Sequence, residues 1–230
     1  FDVKEVSKEA VAMNAGCGAG ELSPGQTWTW SEAKASDHLL VRSVTPQAVG
    51  AIVGAALDGD GDRCLLLQET QDGIRVFDGD DIADAILSSL GANWIVAASI
   101  ESNLTLLTSV RQQESMVGIE TAVGDRWLSH ALSQHHSLTG DGYPMMLGIE
   151  DSGHLVLPSR HPDETSWSLV GDGAMTLIMS LLAMQESSSS SMEKGWKRRV
   201  SVTNPNRWMW DGKNQYADSV ETMALTHFAL

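Results

Sequence analysis

The chain has 230 residues, and 15 Lys and Arg against 30 Asp and Glu leave it with a formal charge of −15. That acidic balance argues against a nucleic-acid binder, because phosphate contacts depend on a basic surface. A hydrophobic content of 42% is enough for a core and excludes wholesale disorder. The longest strongly apolar stretch, Ala174 to Met184, is broken by Thr176 and Ser180 and falls well short of the ~20 residues of a membrane span. Cys17 and Cys64 make neither a disulfide framework nor a zinc knuckle, so a reducing, cytoplasmic setting is expected. There is no signal-peptide pattern, and a start at Phe1 leaves the native start expected upstream.

In chain order, Val11 to Met13 reads as a strand running into the glycine-rich turn Asn14 to Gly20. Pro46 to Leu57 reads as a helical turn followed by an apolar strand from Ala51. A strand Cys64 to Leu67 and a hairpin turn at Asp72-Gly73 lead to strand Ile74 to Phe77. Asp78-Gly79-Asp80-Asp81 then caps a helix Ile82 to Leu90, its acids at the positive helix end. Further on come strand Ile95 to Ser99, helix Leu104 to Gln112, strand Val117 to Thr121 and helix Arg126 to Ser133. Strands Met145 to Gly148 and His154 to Leu157 flank a polar loop, and Gly171-Asp172-Gly173 opens what reads as the most amphipathic helix, to about Met184. Strands alternating with helices predict an α/β protein, with mixed sheets layered with helices. The serine run Ser187 to Ser191 reads as a linker. Beyond it, strands Arg199 to Thr203 and Arg207 to Trp210 and a helix from Tyr216 predict a small α+β C-terminal unit.

The strongest local signal is Asp58-Gly59-Asp60-Gly61-Asp62-Arg63. Alternating carboxylates separated by glycines can fold their oxygens around one hard cation, magnesium or calcium. Asp58, Asp60, Asp62 and Glu69 match four of the five EF-hand requirements, but Arg63 stands where glycine is needed and the flanks read as strands, so that reading fails. In Glu150-Asp151-Ser152-Gly153-His154, residues Glu150, Ser152 and His154 alternate and offer donors and acceptors to vicinal hydroxyls. Arg199, Ser201 and Thr203 share one side of a strand entering a turn, which suits a phosphate. Taken singly, the last two are more often an ordinary surface turn and a charged edge strand.

The order of these pieces, with Val123-Gly124-Asp125-Arg126 between the first two and Gly171-Asp172-Gly173 before the last, resembles the α-D-phosphohexomutases. The likeness is nearest to phosphoglucosamine mutases and phosphomannomutase/phosphoglucomutases, to which Val76-Phe77-Asp78-Gly79-Asp80 adds. It implies magnesium on Asp58, Asp60 and Asp62, and Arg63 as the catalytic residue beside the reacting phosphate. It also implies Arg126, Glu150, Ser152 and His154 on the sugar side, and Arg199, Ser201 and Thr203 on the phosphate that does not react. The implied reaction is magnesium-dependent phosphoryl transfer from a phosphoserine, interconverting hexose 6-phosphate and 1-phosphate through a hexose 1,6-bisphosphate.

The partition expected from this resemblance is a shortened second domain over 1–66, a sugar-binding domain over 67–186, a linker over 187–194 and a phosphate-binding domain over 195–230. The family's serine loop, Thr-Ala-Ser-His-Asn-Pro, does not occur in the sequence, and Ile149 replaces a glycine usual before the sugar loop. Two functions therefore stay open: a mutase incomplete as this chain, and a non-catalytic sugar-phosphate-binding remnant. Neither nucleic acid nor membrane is an expected partner, and a partly uncovered core leaves self-association as an expectation.

Overall fold

The computed structural model describes residues 4–91, 93–135, 138, 142–162, 166–186 and 195. The chain divides into two compact units, Phe1–Gly195 and Trp196–Leu230. The second, with the C-terminal strands and helix expected above and with Arg199, Ser201 and Thr203, lies outside the described residues, as does the serine run.

The first unit is built on two sheets. Strands β1 (Thr27–Thr29), β2 (Ile52–Leu57), β3 (Cys64–Glu69) and β4 (Gly73–Phe77) form an antiparallel sheet in the order β1-β4-β3-β2. Strands β5 (Ile95–Ser99), β6 (Val117–Thr121), β7 (Met146–Ile149), β8 (Leu155–Arg160) and β9 (Trp167–Gly171) form the second, in the order β6-β5-β7-β8-β9. In it β5 runs parallel to both β6 and β7, while β8 and β9 extend the sheet antiparallel. The helices are α1 (Trp30–Lys34), α2 (Leu39–Ser43), α3 (Gly79–Ser89), α4 (Leu104–Arg111), α5 (Asp125–Ser133) and α6 (Gly173–Glu186). An α/β architecture with mixed sheets layered with helices is what the alternation predicts.

The layering follows from the faces each strand presents. Successive side chains of a strand point to opposite faces, so Leu65 and Leu67 of β3 join Val41, Ile74 and Val76 in one core, while Cys64 and Leu66 join the central core. That central core, between the sheets, contains Ile82 and Ile86 of α3, Leu106 and Val110 of α4, Ala183 of α6, and Val96, Leu147 and Leu155 of the second sheet. On the far side of the second sheet, Leu128 and Leu132 of α5 cover Ala97, Met146 and Val156. The helix starts are chemically defined. Asp78 accepts from the Asp81 N–H while Asp81 accepts from the Asp78 N–H, a reciprocal box that opens α3. Arg75 clamps Asp81 at 2.8 Å.

Three expectations are corrected. Val11 to Met13 is irregular, with both Val11 and Met13 well exposed, because no neighbouring strand pairs with it among the described residues. The helical turn expected after Pro46 is not formed: residues 44–48 have no regular structure, and a turn closed by the Ala51 N–H on the Ala48 carbonyl leads into β2. Helix α6 is apolar around most of its circumference and is not strongly amphipathic: Met175, Ile178 and Leu182 are exposed while Ala183 is buried. Strand β9, mostly half-buried, adds an edge the sequence did not announce. No helix among the described residues is long and apolar enough to cross a membrane.

Strand order decides where a site can form. From β5 the chain passes through α4 to β6 on one side and then through α5 to β7 on the other. Crevices of α/β sheets open at the carboxyl ends of parallel strands where the order reverses in this way. The loop Glu150–Gly153 sits at the carboxyl end of β7, next to that reversal.

Candidate functional site

The acidic motif is the hairpin loop between β2 and β3, whose last pair is Leu57 with Cys64. The Gly61 N–H donates to the Asp58 carbonyl oxygen, and Gly61 takes a left-handed backbone at φ +76°, which glycine adopts without strain. The loop folds Asp58, Asp60 and Asp62 together, with one ligand atom from each lying within 4.8 Å of the others. Asp58 also steadies the turn, since its Oδ1 accepts the Arg63 N–H at 3.1 Å. Glu69, the EF-hand's twelfth position, is at the opposite end of β3, where it accepts from the Gln47 N–H, so it has no part in this cluster.

The charge balance of the loop fits a cation. Arg63 is the adjacent positive group, its Nε 3.1 Å from Asp58 Oδ2 and 3.8 Å from Asp62 Oδ1. The second distance is too long for a hydrogen bond, and Asp62 Oδ1 is buried without a hydrogen-bond partner. Burial holds the Asp62 carboxyl above its ordinary 3.8; His154 pulls it down, while Asp58 and Asp60 push it further up. A hard divalent ion would relieve both the repulsion and the orphaned oxygen. The three carboxylates thus fit magnesium.

The sign of the Asp62 shift gives a measurable consequence. A carboxyl raised in the folded chain is relieved of its cost as pH falls and bears it as pH rises through the raised value. A cation competes with that proton. The rise in melting temperature on adding magnesium is therefore expected to grow as pH climbs through the raised carboxyl's range and to be full by about pH 7. At a hundred-fold excess over Kd it would reach about 5–10 °C. Scanning calorimetry across pH checks this, and an increment that shrinks as pH rises would contradict it.

A second motif closes on the loop. Glu150–Gly153 is the turn of the β7–β8 hairpin: Gly153, at φ +87°, donates its N–H to the Glu150 carbonyl, and the Glu150 N–H donates to the His154 carbonyl. This turn stitches to β3, with an antiparallel bridge between Arg63 and His154 and the Cys64 N–H donating to the Gly153 carbonyl at 3.0 Å. His154 Nδ1 lies 3.2 Å from Asp62 Oδ2. Residues about ninety positions apart in sequence thus share one site.

The remaining expected residues arrange around this pair. Glu150 Oε1 accepts the Gly124 N–H at 2.7 Å, at the start of α5, where the helix dipole favours a carboxylate. Arg126, in the first turn of α5, is exposed, with its guanidinium 4.8 Å from the ring centre of Trp127. Ser152 is half-buried in the turn.

Sequence reasoning missed the glycines that let these loops meet. A Cβ at Gly79 would collide with the Glu150 carbonyl oxygen, and the Gly79 N–H donates to the Asp151 carbonyl. A Cβ at Gly173 would lie 2.5 Å from the Arg63 carbonyl oxygen, and the Gly173 N–H donates to the Gly61 carbonyl at 2.8 Å. Gly59 backs onto the Asn14 side chain, 2.5 Å from where its Cβ would be. The available signal was that Gly79, Gly171 and Gly173 stand in the motifs; what they approach was not visible.

Comparison with known proteins gives the family. The family described as Phosphoglucomutase/phosphomannomutase, alpha/beta/alpha domain III, matches residues 78–199. Phosphoglucosamine mutase of Clavibacter michiganensis is 33% identical across 69% of this chain, and that of Lacticaseibacillus casei 33% identical across 80%. The chain belongs to the phosphoglucomutase/phosphomannomutase family of α-D-phosphohexomutases. It spans only 33% and 40% of the lengths of these two relatives. Among solved structures, N-acetylphosphoglucosamine mutase of Aspergillus fumigatus, in complex with GlcNAc-6P and magnesium, is 20% identical with a TM-score of 0.45, over 63% of this chain and 32% of that one. Glu150–His154 lies within the matched residues, and the fold brings Asp58–Arg63 against it through the Arg63–His154 bridge.

Proposed function

We propose that this chain carries the metal and sugar-reading portion of a phosphohexomutase, which interconverts hexose 6-phosphate and 1-phosphate by magnesium-dependent phosphoryl transfer. The observation that carries the reading is the meeting of the acidic loop and the Glu150–His154 turn through the Arg63–His154 bridge and the Asp62–His154 contact. In this proposal Asp58, Asp60 and Asp62 hold magnesium, which when bound neutralises the charge that shifts with the phosphoryl group. Arg63, tied by its Nε to Asp58 and about half exposed, is placed beside the reacting phosphate. Glu150, Ser152 and His154 are assigned to the sugar side, with Arg126 at the rim. Arg199, Ser201 and Thr203, outside the described residues, are assigned to the second phosphate. The domain boundaries at 66, 186 and 194 belong to the same proposal, as does a cytoplasmic setting, which the two free cysteines suit. The substrates it assigns are glucosamine, mannose or glucose phosphates and their 1,6-bisphosphates.

Isothermal calorimetry tests it. Glucosamine 6-phosphate titrated into the chain is expected to release heat of binding with magnesium present and to bind at least ten-fold more weakly with EDTA. Binding indifferent to magnesium, or none at all, would contradict the proposal.

A further inference from the structure

Although the reading above places His154 on the sugar side, its ring geometry points to a task performed through the metal loop. Resting on that reading's metal site, we propose that His154 is a positioning residue that sets Asp62 for a divalent cation by an Nδ1–H···Oδ2 hydrogen bond. The side chain is buried, only 9% exposed, and Nδ1 sits 3.2 Å from Asp62 Oδ2. An ionised carboxylate only accepts, so the hydrogen has to be on Nδ1. The other nitrogen, Nε2, is buried and has no hydrogen-bond partner.

Packing holds the ring in that attitude. A Cβ on Gly171 would lie 2.5 Å from His154 Cε1 and 2.9 Å from Nε2, so bare backbone closes the far edge of the imidazole. The His154 backbone is meanwhile pinned to the metal loop by the Arg63 bridge and by the Cys64 N–H on the Gly153 carbonyl. With Gly171 behind and Asp62 in front, the ring has little freedom to turn. Asp62 is thereby tied through Oδ2, and Oδ1, the oxygen without a hydrogen-bond partner, is left to a cation. Hydrogen-bond partners of metal-binding carboxylates typically set metal affinity by ~10–100-fold. The same ring is also the side-chain link between the metal loop and the sugar turn, so displacing it is expected to be felt by the metal before the sugar.

The test measures Mn²⁺ affinity of the whole chain by electron paramagnetic resonance, with His154→Leu and His154→Asn, the amide of Asn keeping a donor near the Nδ1 position. His154→Leu is expected to weaken Mn²⁺ by ~10–100-fold, and His154→Asn to recover most of the loss. Equal loss in both variants, or no loss in His154→Leu, overturns the role while leaving the metal reading intact. A wild-type chain that binds no Mn²⁺ overturns the metal reading and this role together. Long-range ¹H–¹⁵N spectra of the unaltered chain provide the check that needs no variant. A hydrogen on His154 Nδ1 is expected, and a neutral ring protonated only at Nε2 would overturn the proposal.

Discussion

Replacing Asp60 with Asn is expected to weaken magnesium binding by ~100-fold or more, about 2.7 kcal/mol, without destabilising the metal-free chain. The two halves of this prediction come from different physics. Asp60 is exposed and is one of three carboxylates whose oxygens converge within 4.8 Å, so its loss removes a ligand and a charge from the cation's shell. The same charge raises the Asp62 carboxyl, so neutralising it relieves repulsion in the absence of metal. Calorimetric titration with magnesium, together with a thermal melt in EDTA, reads both. A variant that keeps its magnesium affinity would remove Asp60 from the site; one that melts much earlier in EDTA would make the loop structural. Asp58→Asn is a less clean change, because Asp58 also accepts the Arg63 N–H and pairs with the Arg63 side chain.

Gly153→Ala is expected to be among the most disruptive small substitutions in the first unit, costing about 3 kcal/mol or more and lowering the melting temperature by roughly 6–12 °C. Gly153 holds φ +87°, where an L side chain is strained, and a Cβ there would strike the Cys64 carbonyl oxygen and approach Leu65 Cδ2 at 2.8 Å. Neither neighbour can yield cheaply, one being backbone and the other a fully buried core side chain. The displaced turn also carries the His154 contact to Asp62, so magnesium affinity should fall in parallel. Gly61→Ala is the internal control. Gly61 has a similar φ of +76° but nothing within 4 Å of its Cβ position, so only the backbone cost of about 1–2 kcal/mol applies. Similar losses in the two variants would mean that the close approach of the turn to β3 contributes little.

The contrast between these glycines marks how far the sequence could be read. Strands β5 and β6 were legible to the residue, β5 as a short apolar run and β6 by its alternation of Val117 and Ile119 with Gly118 and Glu120. The cap of α3 was legible because the Asp78–Asp81 box is local, although the helix begins at Gly79, three residues before the expected Ile82. Val11 to Met13 misled because apolar content alone does not make a strand; pairing does, and none is made among the described residues. Helix α6 misled for a different reason: an apolar stretch with small and hydroxylated residues reads as amphipathic, although its exposed face carries apolar Met175, Ile178 and Leu182 while Thr176 and Ser180 are buried. At the site, Asp58, Asp60 and Asp62 declared themselves by spacing, since a contiguous loop brings its own ligands together. The packing of Gly79 on Glu150, Gly171 on His154 and Gly173 on Arg63 depends on which segments the two sheets bring into contact, and no local pattern encodes that. His154 shows the same limit. Its place between Glu150 and β8 grouped it with the sugar turn, while its nitrogen faces Asp62.

We propose that the acidic loop and the Glu150–His154 turn form one magnesium-dependent sugar-phosphate site. The most direct measurement is ³¹P NMR of glucosamine 6-phosphate with the purified chain, magnesium and a trace of the 1,6-bisphosphate. The substrate resonance is expected to broaden or shift with magnesium and to return to its free position with EDTA or in Asp60→Asn. Growth of a 1-phosphate resonance would add turnover to binding. A resonance unmoved by the chain, with magnesium present, would contradict the account.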